Sequence, residues 1–370
     1  MPAKELTGSC MDCKDADAVL TTRNRSLCGP CYQVFLEHKV YRRMERYRKY
    51  PDPGSPSYRL LLPLSLGVSS SSLLRMLDTG MNRQLAKNAR TSYTIEIIAI
   101  EPFTHAYDEA LYTKRFEAAR ETFSKYTFNR IPLHSIFDYV PNMTEAMREY
   151  VGSQFKDDTS RSNEERLAAF RGANSTATSK ADLDNVLFTQ LVVGYAKQTG
   201  CESILWADSD TSLAAKTLAG AAKGRGAALT WQVSDAMSPW GVRFDFPCRD
   251  ISKPELALYE SVSPDLSDIV IPDEPLSENI LTKNLSIDEL MLRYVTTQGE
   301  KYPGVMANVS RTANKLDSYS SLDSTICSLC SAIVDNVKGN ETGITVASQF
   351  SVQKPQFCYG CTRSRPEIDS

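Results

Sequence analysis

Eight of the ten cysteines fall into four C-x-x-C pairs, and these are the residues with the clearest chemistry. Cys10–Cys13 and Cys28–Cys31 lie near the N-terminus with fourteen residues between the pairs. Cys327–Cys330 and Cys358–Cys361 lie near the C-terminus, twenty-seven residues apart. Each pair turns tightly enough to point two thiolates at one ion, and two pairs close a tetrahedron with no open position. The spacing predicts two structural zinc sites, a knuckle and a ribbon, with an iron–sulfur cluster as the minor alternative. Free thiols or a redox C-x-x-C are the plain alternatives, but four ligands rarely fall so by chance. A closed site of this kind stabilises a small fold and offers no catalytic position. Only Cys201 and Cys248 are left over, and single cysteines among apolar neighbours are more often inert core than nucleophiles.

The second candidate is the loop Ser65-Leu66-Gly67-Val68-Ser69-Ser70. It follows the leucine-rich run Leu60–Leu64 and leads into an apolar helix start at Leu73. In that order, strand then loop then helix, backbone N–H groups and the positive end of a helix dipole can hold a phosphate. A serine-rich turn that merely caps a helix explains the composition equally well. Further on, Trp206-Ala207-Asp208-Ser209-Asp210-Thr211-Ser212 reads as an Asp/Ser helix cap. Lys223-Gly224-Arg225-Gly226 reads as a mobile cationic turn able to meet RNA or a nucleotide, although a basic loop needs no ligand.

A helix from Val34 to Tyr50 carries Lys39, Arg42, Arg43, Arg46, Arg48 and Lys49, interleaved with Tyr41, Tyr47 and Tyr50. Such a run beside a zinc knuckle suits RNA phosphates, and a solvated face explains it about as well. The expected RNA contacts are Lys39, Arg42, Arg43, Arg46 and Lys49, with Lys223 and Arg225.

The loop resembles the S-G-G-x-D-S loop of the PP-loop ATP pyrophosphatases, with Leu66 where the first glycine would be and Ser69 where the aspartate would be. Glycine permits positive φ and close phosphate approach, while leucine restricts the first and crowds the second. Serine has no charge with which to organise a metal ion beside ATP. The second motif of that family is poorly matched: Asp208 replaces its histidine, and Thr211 and Ser212 replace its acids. What remains is a degenerate nucleotide loop of Ser65, Gly67, Ser69 and Ser70 with no catalytic residue assigned.

Knuckle, PP-loop-like domain and ribbon, in that order, resemble the cytosolic tRNA 2-thiolation enzymes. The altered loop, the Lys223–Gly226 turn and Phe246-Pro247-Cys248-Arg249-Asp250 resemble their non-catalytic-looking branch. The resemblance implies a heteromeric complex with a catalytic paralogue, tRNA and a thiocarboxylated ubiquitin-like sulfur carrier, placing sulfur on C2 of the wobble uridine of lysine, glutamine and glutamate tRNAs. It implies two structural zinc ions, and ATP held by the partner rather than by this chain. The competing class is an autonomous ATP-dependent tRNA sulfurtransferase in which Cys248 carries sulfur. A zinc-knuckle RNA-binding module unrelated to thiolation would leave the α/β domain unexplained.

These candidates need a scaffold, and the 370 residues supply one. With 42% hydrophobic and 24% charged residues the chain is of ordinary globular composition. A net charge of −3 announces no global affinity for nucleic acid, so an RNA site must be a local patch. No apolar run is long enough to span a bilayer and no signal-peptide pattern opens the chain, so the cytoplasm is expected, with reduced or metal-bound thiols. Tyr93–Ile100 is the clearest strand; Ile131–Val140 is expected as another, and Ser203–Trp206 as a short one. Helices are expected over Leu73–Asn88, Ala106–Ser124, Ala181–Gly200, Thr211–Ala222 and Ile287–Gln298. This alternation predicts an α/β fold with a mostly parallel sheet and helices on both faces. The expected organisation is residues 1–54 for knuckle and basic helix, 55–300 for the α/β domain and 301–370 for the ribbon. An exposed polar insertion is expected near 156–180 and an acidic linker near 263–278.

Overall fold

The computed structural model describes residues 8–22, 24–49, 56–101, 108–152, 157–273, 285–316, 325–334 and 357–366. The chain divides into two units, one of Met1–Ile131, Gly200–Leu213 and Asp245–Leu276, the other of Pro132–Thr199, Ala214–Phe244 and Ser277–Ser370.

In the first unit the antiparallel strands Leu20–Thr22 (β1) and Arg25–Leu27 (β2) precede the helix Gly29–Arg43 (α1). Pro30 suits the first turn of α1, where its missing N–H costs nothing. The strand Tyr58–Pro63 (β3) buries Leu60, Leu61 and Leu62 completely, so both of its faces are covered. It leads into the helix Val68–Asn88 (α2), then the strand Tyr93–Glu101 (β4), the helix Glu109–Thr122 (α3) and the strand Thr127–Pro132 (β5). Asp108 caps α3 by accepting from the Leu111 N–H at 3.0 Å. The strand Ser203–Leu205 (β6) completes the run β5-β4-β3-β6. β3 is parallel to both neighbours, with Leu60 opposite Ile95 on one side and Ser203 on the other.

The core of this unit joins Leu36 and Val40 of α1 to Leu73, Leu74 and Leu77 of α2 and Tyr259 of the helix Lys253–Ser261. That last helix opens on a capping box between Ser252 and Glu255. The stretch after it corrects the sequence reading. Residues 263–273, expected as part of an exposed acidic linker, bury Leu266, Ile269 and Val270 in the core. Their acids are paired: Asp265 with Arg75 at 2.7 Å and Asp273 with Lys253 at 2.8 Å. Apolar residues spaced three apart outweigh the acidic composition. Residues 274–278 lie outside the described residues, as does the expected domain boundary at residues 54 and 55.

The second unit is mainly helical. Residues 131–140, expected as a strand, instead end β5 at Pro132, turn through Leu133–Ser135 and form the short helix Ile136–Tyr139. Leu133 and Ile136 are the buried pair, three apart, which is helical rather than strand spacing. Within the expected polar insertion, the helix Asn163–Gly172 starts on a Ser162–Glu165 capping box and buries Leu167 and Phe170. Phe170 meets Tyr150 edge-on at 5.8 Å, so the stretch, exposed over most of its length, is anchored to the unit by these buried side chains. The helix Ala177–Thr199 crosses the backbone of Tyr139 so closely that a Cβ at Gly194 would lie 2.6 Å from its carbonyl oxygen. Ala214 and Ala215 of the helix Asp210–Ala222 pack with Val295 of Ile287–Lys301 and Met306 of Pro303–Ala313. A hairpin pairs Ala236 with Phe244 in antiparallel fashion.

Candidate metal centres and altered phosphate loop

At the N-terminal site, Lys14 takes φ of 62° and its N–H returns to the Cys10 carbonyl at 2.9 Å, which turns the first pair. The second pair is turned by the start of α1, where Cys28 is the N-cap. All four sulfurs lie within 4.8 Å of one another, with Cys13 and Cys28 at 3.8 Å. At the C-terminal site the strands Thr325–Ile326 and Ile333–Val334 present Cys327 and Cys330, and the helix Tyr359–Ser364 presents Cys358 and Cys361. These four are buried, again within 4.8 Å, with Cys330 and Cys358 at 3.5 Å. An ion held tetrahedrally at ~2.3 Å by four thiolates sets them roughly 3.8 Å apart, so both sets fit one closed, single-ion site each.

Behind the C-terminal site lies a buried strut. Arg225 points its Nη1 and Nη2 at Cys361 Sγ, each at 3.6 Å, and its Nη1 at Cys358 Sγ at 3.9 Å. The same guanidinium grips Asp182 at 2.7 and 2.5 Å. Lys223 pairs with Asp182 at 3.1 Å and Asp288 at 2.7 Å, and Ser364 Oγ donates to Asp182 at 2.7 Å. Burial pushes the Asp182 carboxyl up, but Arg225 and Lys223 outweigh it and hold it below the usual carboxylate range. Between the two cations Gly224 takes φ of +71°, where an added Cβ would strike the Tyr359 ring at 2.1 Å. The expected mobile cationic turn is therefore corrected. Lys223 and Arg225 are 4% and 6% exposed, so their charges face carboxylates and sulfurs inside the unit and not RNA.

The altered loop turns two of its own N–H groups, those of Ser65 and Gly67, onto its serine hydroxyls. Leu66 is fully buried and holds φ of 61°, a region that leucine rarely enters. Its carbonyl accepts from the Ile271 N–H at 2.8 Å. The Ser65 N–H donates to Ser70 Oγ at 3.2 Å, the two hydroxyls meet at 3.0 Å, and the Gly67 N–H reaches Ser65 Oγ at 3.4 Å. Ser69 is half-buried, and no carboxylate stands in the loop. In the second stretch Ser209 Oγ accepts from the Ser212 N–H at 3.2 Å, so the helix-cap reading describes it. Cys248 is fully buried, and burial together with the Asp208 charge pushes its thiol up to about 12. Cys201 is 5% exposed.

The helix expected over Val34–Tyr50 is instead α1, which ends at Arg43, with a 3-10 turn over Glu45–Tyr47, and the cations of this stretch separate into two groups. Lys39 is 7% exposed, reaches Glu255 at 3.1 Å and lies over the Phe35 ring at 4.7 Å. Arg43 pairs with Asp250 at 2.6 Å. These two tie α1 to its own unit, whereas Arg42, Arg46 and Lys49 are exposed. Sequence reasoning missed the buried acceptor Asp245, which takes hydrogen bonds from Tyr47 and from Ser203, both at 2.6 Å. No motif marks it. It also missed the cations of α2, whose i, i+4 pair Arg83 and Lys87 was the available signal.

A mostly parallel sheet, a strand–loop–helix turn after β3 and two tetracysteine sites make up an α/β fold that is shared with a PP-loop tRNA thiolase. The U34-tRNA thiolase NcsA from Methanococcus maripaludis, solved with its iron–sulfur cluster, superposes with a TM-score of 0.58 over 93% of this chain and 100% of that one, at 14% identity. More particularly, the chain belongs to the cytoplasmic tRNA 2-thiolation protein 2 family. The family model of that name matches residues 286–356. Proteins of that name from Neosartorya fischeri and Aspergillus oryzae are 50% and 48% identical to it, each pairing covering 100% of both chains.

Proposed function

We propose that the chain is a subunit of a cytoplasmic tRNA wobble-uridine 2-thiolation complex that scaffolds and holds tRNA but does not adenylate it. The catalytic paralogue, cytoplasmic tRNA 2-thiolation protein 1, supplies ATP chemistry, and a thiocarboxylated ubiquitin-like carrier supplies sulfur. The product is the 2-thio group of 5-methoxycarbonylmethyl-2-thiouridine in lysine, glutamine and glutamate tRNAs. Family membership and the thiolase fold support the reaction; the absence of any membrane-length apolar helix among the described residues fits a cytoplasmic complex.

The observation that carries the non-catalytic role is the loop. Its Ser65 and Gly67 N–H groups are taken by its own serine hydroxyls, Leu66 is driven into the core, and Ser69 offers no carboxylate for Mg²⁺. Burial of Cys248 weighs against the autonomous sulfurtransferase. Cys10, Cys13, Cys28 and Cys31, and Cys327, Cys330, Cys358 and Cys361, would each hold one structural zinc ion, which adds its binding energy to folding.

The test mixes the paralogue, tRNA, ATP and the carrier with this subunit. Ser69→Ala should leave thiolation nearly intact, and omitting the subunit should abolish it. ATP cleavage to AMP and pyrophosphate by this chain alone would overturn the reading. Elemental analysis of the same sample should find two zinc ions per chain and little iron.

A further inference from the structure

The first unit contains a groove of about 900 Å³ between α1 and α2 whose lining holds no Asp or Glu. Gly80 makes it possible: the Tyr41 ring lies where a side chain would be, with a Cβ at position 80 only 2.7 Å from Tyr41 Cε1. Tyr41 also donates to the Met76 carbonyl at 3.1 Å, which fixes it between the two helices. On the α2 side, Arg83 pairs with the buried Glu37 at 2.8 Å while 49% of its side chain stays exposed. Arg42, Arg48 and Lys87 are exposed along the same groove, and none has a carboxylate partner among the described residues. His38 and Phe35 contribute further ring surface.

From this geometry we infer that the groove is a binding site for the phosphate backbone of RNA that includes unpaired nucleotides, with Arg42, Arg48 and Lys87 on phosphates and Tyr41 and His38 beside bases. The inference rests on the tRNA reading and gives it a place. Unopposed cations in a concave site raise the local concentration of a polyanion, whereas the paired Lys39 and Arg43 are already neutralised. The exposed His38 ring and the half-buried Tyr41 ring lie among the cations, which favours a strand whose bases can stack. A small anion would need neither the length of the groove nor its rings.

The experiment titrates the full-length protein with unmodified lysine-accepting tRNA and with a uridine 12-mer, by fluorescence anisotropy over a salt series. Arg42→Gln/Arg48→Gln/Lys87→Gln removes three charges without leaving an unpaired buried carboxylate. It should weaken both probes at least tenfold and flatten the slope of log K against log salt by about two, since each lost phosphate contact removes ~0.7–0.9. A matched control, Lys114→Gln/Arg120→Gln/Arg161→Gln, should change the slope by less than half as much. Equal loss in the control, an unchanged slope in the groove variant, or a wild-type protein that binds neither probe overturns the groove. Loss of paralogue capture with RNA affinity unchanged assigns the groove to an acidic protein surface and also overturns it. The function itself is read separately: if cells lacking the protein keep 2-thiouridine in their tRNA, the thiolation reading fails whatever the anisotropy gives.

Discussion

Tyr47 Oη donates to Asp245 Oδ2 at 2.6 Å, and Ser203 Oγ donates to the same oxygen at the same distance. A carboxylate 8% exposed, supplied by one strand end, is thus held by the turn after α1 and by β6. Hydrogen bonds to a buried charge are worth more than neutral ones, about 1.5–3 kcal/mol. Tyr47→Phe should therefore lower the free energy of unfolding by roughly that amount, measured by urea denaturation. A double-mutant cycle with Ser203→Ala should show coupling, since both hydroxyls serve one oxygen.

Leu66 sets two effects of similar size against each other. Its positive φ stores on the order of 1–3 kcal/mol of strain, and its burial contributes about 1.5–3 kcal/mol. Leu66→Gly loses the burial but relieves the strain, so it should fall within about 1 kcal/mol of wild type by thermal denaturation. Leu66→Ala loses the burial and keeps the strain. It should be the less stable of the two, a reversal of the usual order for alanine and glycine.

Asp182 holds Arg225, Lys223 and Ser364 at once. Breaking a buried pair by removing one partner costs about 3–5 kcal/mol, so Arg225→Gln or Asp182→Asn should destabilise the protein by that order, while an RNA-contact role would leave stability alone. The pH dependence has a definite sign. The folded carboxyl titrates below its unfolded value, so its stabilisation is present above the unfolded pKa and fades as pH falls through the folded one. The gap in denaturation midpoint between wild type and Asp182→Asn should be full near neutrality and should narrow in acid, below about pH 4, as the wild-type carboxyl takes up its proton.

Cys248 gives the sharpest test against sulfur carriage by this chain. The thiolate is the reactive species, and a thiol pushed up to about 12 is almost wholly protonated at pH 8. Iodoacetamide at pH 8 should leave Cys248 unmodified in the native protein and label it fully after denaturation, read by peptide mass spectrometry. Rapid native labelling would restore the case for an autonomous sulfurtransferase.

Much of the architecture could be read from local pattern. The cysteine pairs, the continuous apolar run of β4 and the Ser/Gly turn before α2 each carry their signal within a few residues. What could not be read is pairing at long range. Lys223 and Arg225 look solvated until Asp182, some forty residues earlier, is seen beside them. Leu133 and Ile136 look like strand residues when only apolar content is counted, and the three-residue spacing decides otherwise. Gly80 is an unremarked glycine in a helix until the Tyr41 ring occupies the space it leaves.

The first unit is assembled from three separated stretches of chain, and this bears on how it comes into being on the ribosome. Lys39 and Glu255, which pair at 3.1 Å, are 216 residues apart in sequence, and Tyr32 donates to the Glu255 carbonyl across 223. At ~5–20 residues per second, about 10–40 s pass between synthesis of α1 and arrival of its partners. Throughout that interval the knuckle can take up metal and β3 can pair with β4, yet Lys39 has no carboxylate and the apolar side of α1 has no helix Lys253–Ser261 to cover it. A chain stopped before residue 245 would present that uncovered face to holding chaperones, so nonsense lesions in the middle of the gene should yield degraded protein and not a working N-terminal half.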